Sequence, residues 1–159
     1  VDRLPHRFGV GSKGGFTLME IMVSVAIVAT LAAIAIPQYI SYLDKARVAR
    51  AIAEVKNIEK AVYNYFSDHD EFPDSLAQVG FGGYQDPWGH AYRYLRIDGG
   101  GPDNGHKRKD HSLVPVNSDF DLYSLGRDGA SQAPFTAGSS QDDIVRANNG
   151  GYVGLVSNY

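Results

Sequence analysis

The chain has 159 residues and a formal net charge of −3, a balance with no global pull toward nucleic acid or an anionic surface. It contains no cysteine, which excludes a disulfide framework, a thiolate nucleophile and any cysteine-based zinc site. The length suggests one domain plus a targeting segment, and the composition is split: an aliphatic start, then a remainder rich in glycine and tyrosine.

Residues Val1 to Gly15 carry Arg3, Arg7 and Lys13 against a single Asp2. The following run, Phe16 to Ile36, is apolar apart from Thr17, Glu20, Ser24 and Thr30. As a helix it spans about 30 Å, the thickness of a bilayer's hydrocarbon core. The basic flank predicts that its N-terminal end stays cytoplasmic. An ordinary secretory signal peptide is the rival reading, with Ala33-Ile34-Ala35 as the cleavage site. Two features oppose it: the apolar run exceeds the usual 7–15 residues or so, and it holds a carboxylate near its start.

Glu20 requires a reason, because an acidic group in a membrane helix costs about 2.5–3.5 kcal/mol on insertion scales. No Lys or Arg lies between Phe16 and Ser41 to pair with it. Cleavage before Phe16 would create a free α-amine, largely charged near neutral pH. That amine would meet Glu20 of a neighbouring copy, so one charge pair would favour assembly and specify its axial stagger. A carboxylate resting at the interface, or protonated, is the alternative.

The junction Lys13-Gly14-Gly15-Phe16-Thr17-Leu18-Met19-Glu20 resembles that of type IV pilins and type II secretion pseudopilins. The resemblance implies that a prepilin peptidase cuts after Gly15 and methylates the new N-terminus at Phe16. It also makes Glu20 the assembly glutamate. Ala35-Ile36-Pro37-Gln38-Tyr39 is similar to the family's segment where the membrane helix enters the periplasm, with Pro37 expected to bend or loosen the helix.

Beyond Pro37 the pattern turns amphipathic. Ile52, Val55, Ile58, Val62 and Tyr65 recur at spacings of three and four, with Glu54, Lys56, Glu59 and Lys60 off the stripe. One helix from about Phe16 to Ser67 is therefore expected, its second half packed on a small head. Asp68 to Asp74 reads as a polar exit closed by Pro73. Leu76, Val79 and Phe81 suggest a short helical turn. Ala91 to Ile97 and Asp119 to Leu125 alternate as antiparallel strands, and Tyr152 to Val156 adds an edge strand. A Gly/Pro-rich insert, Gly99 to Pro115, separates the first two. Within it, His106 to His111 is basic and reads as a solvated loop, a nucleic-acid contact being the weaker alternative. Gly99-Gly100-Gly101 lacks the context of a phosphate loop, and no nucleophile–His–Asp motif supports catalysis.

Two patches of the head extend the resemblance to the major pseudopilin of type II secretion: Asp86-Pro87-Trp88-Gly89 with Tyr92 and Tyr94, and Asp121 to Gly129 followed by Asp142-Asp143-Ile144. In that subunit the second patch forms a calcium loop. Carried over, Asp128 and one or both of Asp142 and Asp143 would supply carboxylates, and Leu125 a carbonyl. Calcium accepts six to eight such oxygens in irregular geometry. By spacing alone, Asp128-Gly129 reads first as a turn, and it is the resemblance that favours the calcium loop. Two departures stand out: the stretch from Asp128 to Asp142 is longer than in that subunit, and a Gly/Asn-rich tail replaces its short end on tryptophan.

The expectation is an α+β, pilin-like chain: leader 1–15, transmembrane and assembly helix 16–36, amphipathic helix 37–67, and β-rich head 68–159. The resemblance implies a non-enzymatic filament subunit of a type II secretion pseudopilus. It would be an inner-membrane precursor that becomes periplasmic on assembly. Its partners would be identical copies, minor pseudopilins, the prepilin peptidase and the inner-membrane assembly platform, with no nucleic acid. A surface type IV pilus subunit and a secreted calcium-binding domain are the alternatives.

Overall fold

A computed structural model describes residues 14–98 and 105–159. The expected leader up to Lys13 and the glycine run Gly99 to Gly101 lie outside the described residues. The chain divides into two units, one ending at Ser41 and the other running from Tyr42 to Tyr159.

In the first unit, residues 14–17 are non-helical and helix α1 (Leu18–His69) begins. Its side chains up to Ser41 are exposed, with Ala32 half-buried. The Ser24 hydroxyl donates to the Glu20 carbonyl (2.7 Å) and the Thr30 hydroxyl to the Ala26 carbonyl (2.8 Å). Both polar groups are thus satisfied within the helix. Among the described residues, α1 is the one helix long and apolar enough to cross a membrane. Helical structure continues through Pro37, whose missing donor does not end the element.

The second unit is built on the remainder of α1. Ala51, Val55, Ile58 and Val62 are fully buried along one stripe. Ile52 and Tyr65, expected on that stripe, are only half-buried, and Glu54, expected off it, is buried. Glu54 is satisfied there by the hydroxyls of Tyr92 (2.7 Å) and Tyr84 (3.2 Å) and by Arg50 (2.8 Å). The helix ends two residues later than expected, at His69. Asp70 adopts φ 57° and donates its N–H to the Phe66 carbonyl (2.8 Å), a left-handed cap.

Four strands form one antiparallel sheet in sequence order: β1 (Arg93–Arg96), β2 (Phe120–Ser124), β3 (Ile144–Ala147) and β4 (Tyr152–Leu155). One face packs Phe120, Leu122 and Ile144 against the helix stripe, with Phe72, Leu76 and Tyr92 completing that core. The opposite face buries Val145 and Ala147 with Val116, Phe135 and Val156. β3 was not expected. Its four residues are all buried because both faces are covered, so they show no alternation. The tail also folds, closing with β4 and a final turn that buries Val156.

Arg146 on β3 joins sheet to helix. All five of its guanidinium donors are taken: Glu59 (2.6 Å), Asp119 twice (2.6 and 2.9 Å), the Phe120 carbonyl (3.0 Å) and Tyr63 (2.8 Å). The guanidinium also lies 4.0 Å from the Phe120 ring centroid. Burial opposes ionisation of Asp119, but hydrogen bonds from Arg146, the Phe120 amide and Tyr63 outweigh it and hold the carboxyl below its usual range.

Arg146→Ala strands two carboxylates, so urea unfolding should show a loss of about 3–5 kcal/mol; a loss under about 1 kcal/mol would make the network dispensable. The contribution of Asp119 is complete above the unfolded carboxyl pKa of about 4 and disappears as pH falls through its lower folded value. The stability gap between the native chain and Asp119→Asn should therefore close below that pH and stay constant above it.

Candidate functional site

Two places carry candidate function, one in each unit. At the helix start, Gly14 and Gly15 are exposed and non-helical, and a Cβ added at either meets nothing within 4 Å. The fold around them therefore does not itself require glycine at either position. Thr17 and Glu20 form a reciprocal cap. The Glu20 carboxylate accepts the Thr17 N–H (2.8 Å) and hydroxyl (2.9 Å), and the Thr17 oxygen accepts the Glu20 N–H (3.2 Å). Glu20 therefore has a neutral partner just before its own helix, which a search for opposite charges overlooks. The Thr-x-x-Glu spacing was the available signal.

In the second unit, the Asp86 turn supports the Leu125–Asp143 loop. Asp86 Oδ1 accepts the N–H groups of Trp88 (3.0 Å) and His90 (2.9 Å), closing the turn. Its other oxygen accepts the Ser124 hydroxyl at the end of β2, and Ser124 Oγ in turn accepts the Gly126 N–H (3.0 Å). The two sequence patches that carry the resemblance are thus joined through a fully buried carboxylate. Gly126 has φ 64°, and a Cβ there would collide with the Asp142 carbonyl.

The four residues expected to hold calcium make the following contacts. The Asp142 carboxylate accepts the N–H groups of Arg127 (2.7 Å) and Asp128 (3.0 Å). The exposed Asp128 accepts the Ala130 N–H (2.8 Å), the hydrogen bond of an Asx turn. Leu125 is half-buried beside them. Asp143 points inward, fully buried, to Arg108 Nη2 (2.9 Å) and the Ser131 hydroxyl. Among the described residues, no three acidic or histidine side chains gather as a metal-ion site.

Arg108 corrects the reading of His106 to His111 as a solvated loop. Its side chain is 3% exposed, and its guanidinium also donates to the Gln132 carbonyl (2.7 Å) and the Ser131 hydroxyl. Burial pushes the Asp143 carboxyl up to about 6, against the Ser131 hydrogen bond and the Arg108 charge. It is therefore mostly ionised, and paired, at neutral pH.

A prokaryotic N-terminal methylation motif matches residues 11–36. The type II secretion system core protein G of Pseudomonas aeruginosa is 34% identical over 138 aligned residues, covering 74% of this chain and 85% of that protein. The chain belongs to this pseudopilin family. A fimbrial protein of Neisseria meningitidis is 35% identical, covering 54% of this chain but 51% of its own length. The type IV major pilin protein PilA of Myxococcus xanthus is 39% identical over 42% of this chain and 30% of its own. No solved structure matches. The pseudopilin likeness extends over most of the chain, whereas the pilins match a smaller part of it.

Because Asp86 braces both patches, Asp86→Ala should leave the Trp88, His90 and Ser124 donors unsatisfied and cost the head about 1–3 kcal/mol. Limited proteolysis should then cut within residues 125–143 first; an unchanged cleavage pattern would show that the turn does not support the loop.

Proposed function

We propose that this chain is the repeating structural subunit of a type II secretion pseudopilus. The carrying observation is the likeness to core protein G across 85% of that protein, head included. The pilin relatives are matched over about half of their length or less, which favours the secretion filament over a surface pilus.

In this reading the precursor sits in the inner membrane through residues 16–36, with Val1 to Gly15 as its cytoplasmic leader. The prepilin peptidase cuts after Gly15, and Phe16 becomes the methylated N-terminus. The apolar side chains of Phe16 to Ile36, exposed on an isolated chain, then exchange lipid for the helices of neighbouring subunits. Glu20 receives the α-amine of a neighbour. Its oxygens already face the helix start, where the dipole favours negative charge. Minor pseudopilins and the inner-membrane assembly platform are the remaining partners, and the assembled filament stands in the periplasm.

Deleting the chain from its host should abolish release of folded exoproteins and leave surface pili intact. Loss of pili with normal secretion would reverse the assignment. Glu20→Ala should still be cut after Gly15, as read by the mass of the mature N-terminus. The yield of sheared filaments should fall at least tenfold, the change expected from an unpaired amine at a cost of about 1.4 kcal/mol or more. Normal filament yield would remove the charge pair from the mechanism.

A further inference from the structure

The insert before β2 and the long stretch from Asp128 to Asp142 meet at one point. The insert supplies Arg108. The long stretch supplies Ser131 and Gln132, whose oxygens accept from Arg108 Nη1, and leads into Asp143, which accepts from Nη2. A carboxylate, a hydroxyl and a main-chain carbonyl are the kinds of donor that a calcium ion takes from a loop. Here they converge on a guanidinium.

Arg108 is held in place and is not a surface side chain that folded inward. Its N–H donates to Asp121 (2.7 Å), its carbonyl accepts the Val116 N–H (3.0 Å), and Lys109 pairs in both directions with residues 133 and 135. The guanidinium lies between the rings of Tyr123 and Phe135, at 4.4 and 5.1 Å from their centroids. Of the remaining carboxylates, Asp142 accepts two backbone N–H groups on Oδ2 and Asp128 one on Oδ1. A divalent cation bound at Asp143 would stand near a fixed positive charge, a repulsion that counts for far more in a buried setting than in water.

We infer that Arg108 is the resident cation of this head: it organises the Leu125–Asp143 loop through Asp143, Ser131 and Gln132, so the head folds and persists without calcium. This concerns the head alone and stands whether or not the filament reading holds.

The test is thermal unfolding of the full chain in detergent, followed by near-ultraviolet circular dichroism, in millimolar calcium chloride and in excess EDTA. The native chain should melt at the same temperature in both, within about 1 °C, since a ligand that does not bind the folded state cannot shift the transition. A calcium-dependent rise, reversed by EDTA, would overturn the inference and restore the calcium loop on Asp128, Asp142 and Asp143. Arg108→Met, close in length but uncharged, should melt roughly 10 °C lower or more, because it leaves Asp143 buried and unpaired. If that variant does not fold, the double variant Arg108→Met with Asp143→Asn removes both charges and should regain most of the loss. A single variant that melts like the native chain, or a double variant no better than the single, would show that Arg108 does not organise the loop through Asp143.

Discussion

A fully buried guanidinium is the interaction on which the head depends. An isolated charge in an apolar interior is prohibitively costly, and Arg146 is tolerated only because five acceptors converge on it from two sides. Glu59 and Tyr63 come from the helix; Asp119 and the Phe120 carbonyl come from the start of β2. The pairing is demanding in geometry, so it admits one placement of β3 against the helix where apolar contacts alone would tolerate several. Ile144 on the same strand then meets Ala51, Val55, Ile58 and Val62 in a single core.

This matters because the head has no covalent brace. With no cysteine in the chain, closure of its long loops falls to side-chain hydrogen bonding. Three buried carboxylates do this work in different ways. Asp86 gathers backbone donors and a serine across the base of the loop, Asp121 accepts from the insert and from Asn117, and Asp143 faces Arg108. Each closes a different stretch of chain, and each is placed where water cannot substitute for the missing donor. The two arginines lie among aromatic rings as well as carboxylates, which suits the flat, weakly hydrated guanidinium better than a lysine ammonium.

The first unit follows the opposite logic. Its apolar side chains are exposed along the whole helix, and its few polar groups turn back onto their own backbone. Such a surface has no stable state in water and requires lipid or other helices. The Thr17–Glu20 cap reconciles this with a carboxylate near the start of the apolar run. The acid is hydrogen-bonded while the chain is alone, and its remaining acceptor capacity is free for a stronger partner.

What the sequence determined by itself is what depends on local chemistry and period. The apolar run from Phe16 to Ile36, the Gly15–Phe16 junction with Glu20 four residues on, the amphipathic continuation and three of the four strands were all legible, because each is encoded within a few neighbouring residues. The tertiary structure alone decided which charges go inside. Arg108 lies in a basic run that reads as solvated, Glu54 lies among residues off the helix stripe, and Arg146 opens what reads as a polar tail; apart from the exposed Arg50 beside Glu54, the partners that hold them inside are remote in sequence. Their partners lie 35, 38 and 87 residues away in sequence. β3 escaped for a related reason: covered on both faces, it loses the alternation that identifies a strand. The aspartates from Asp128 to Asp143 show the same limit: their side chains were evident from the sequence, but Asp143 points inward to the arginine that the insert supplies while Asp128 and Asp142 accept backbone N–H groups of their own loop.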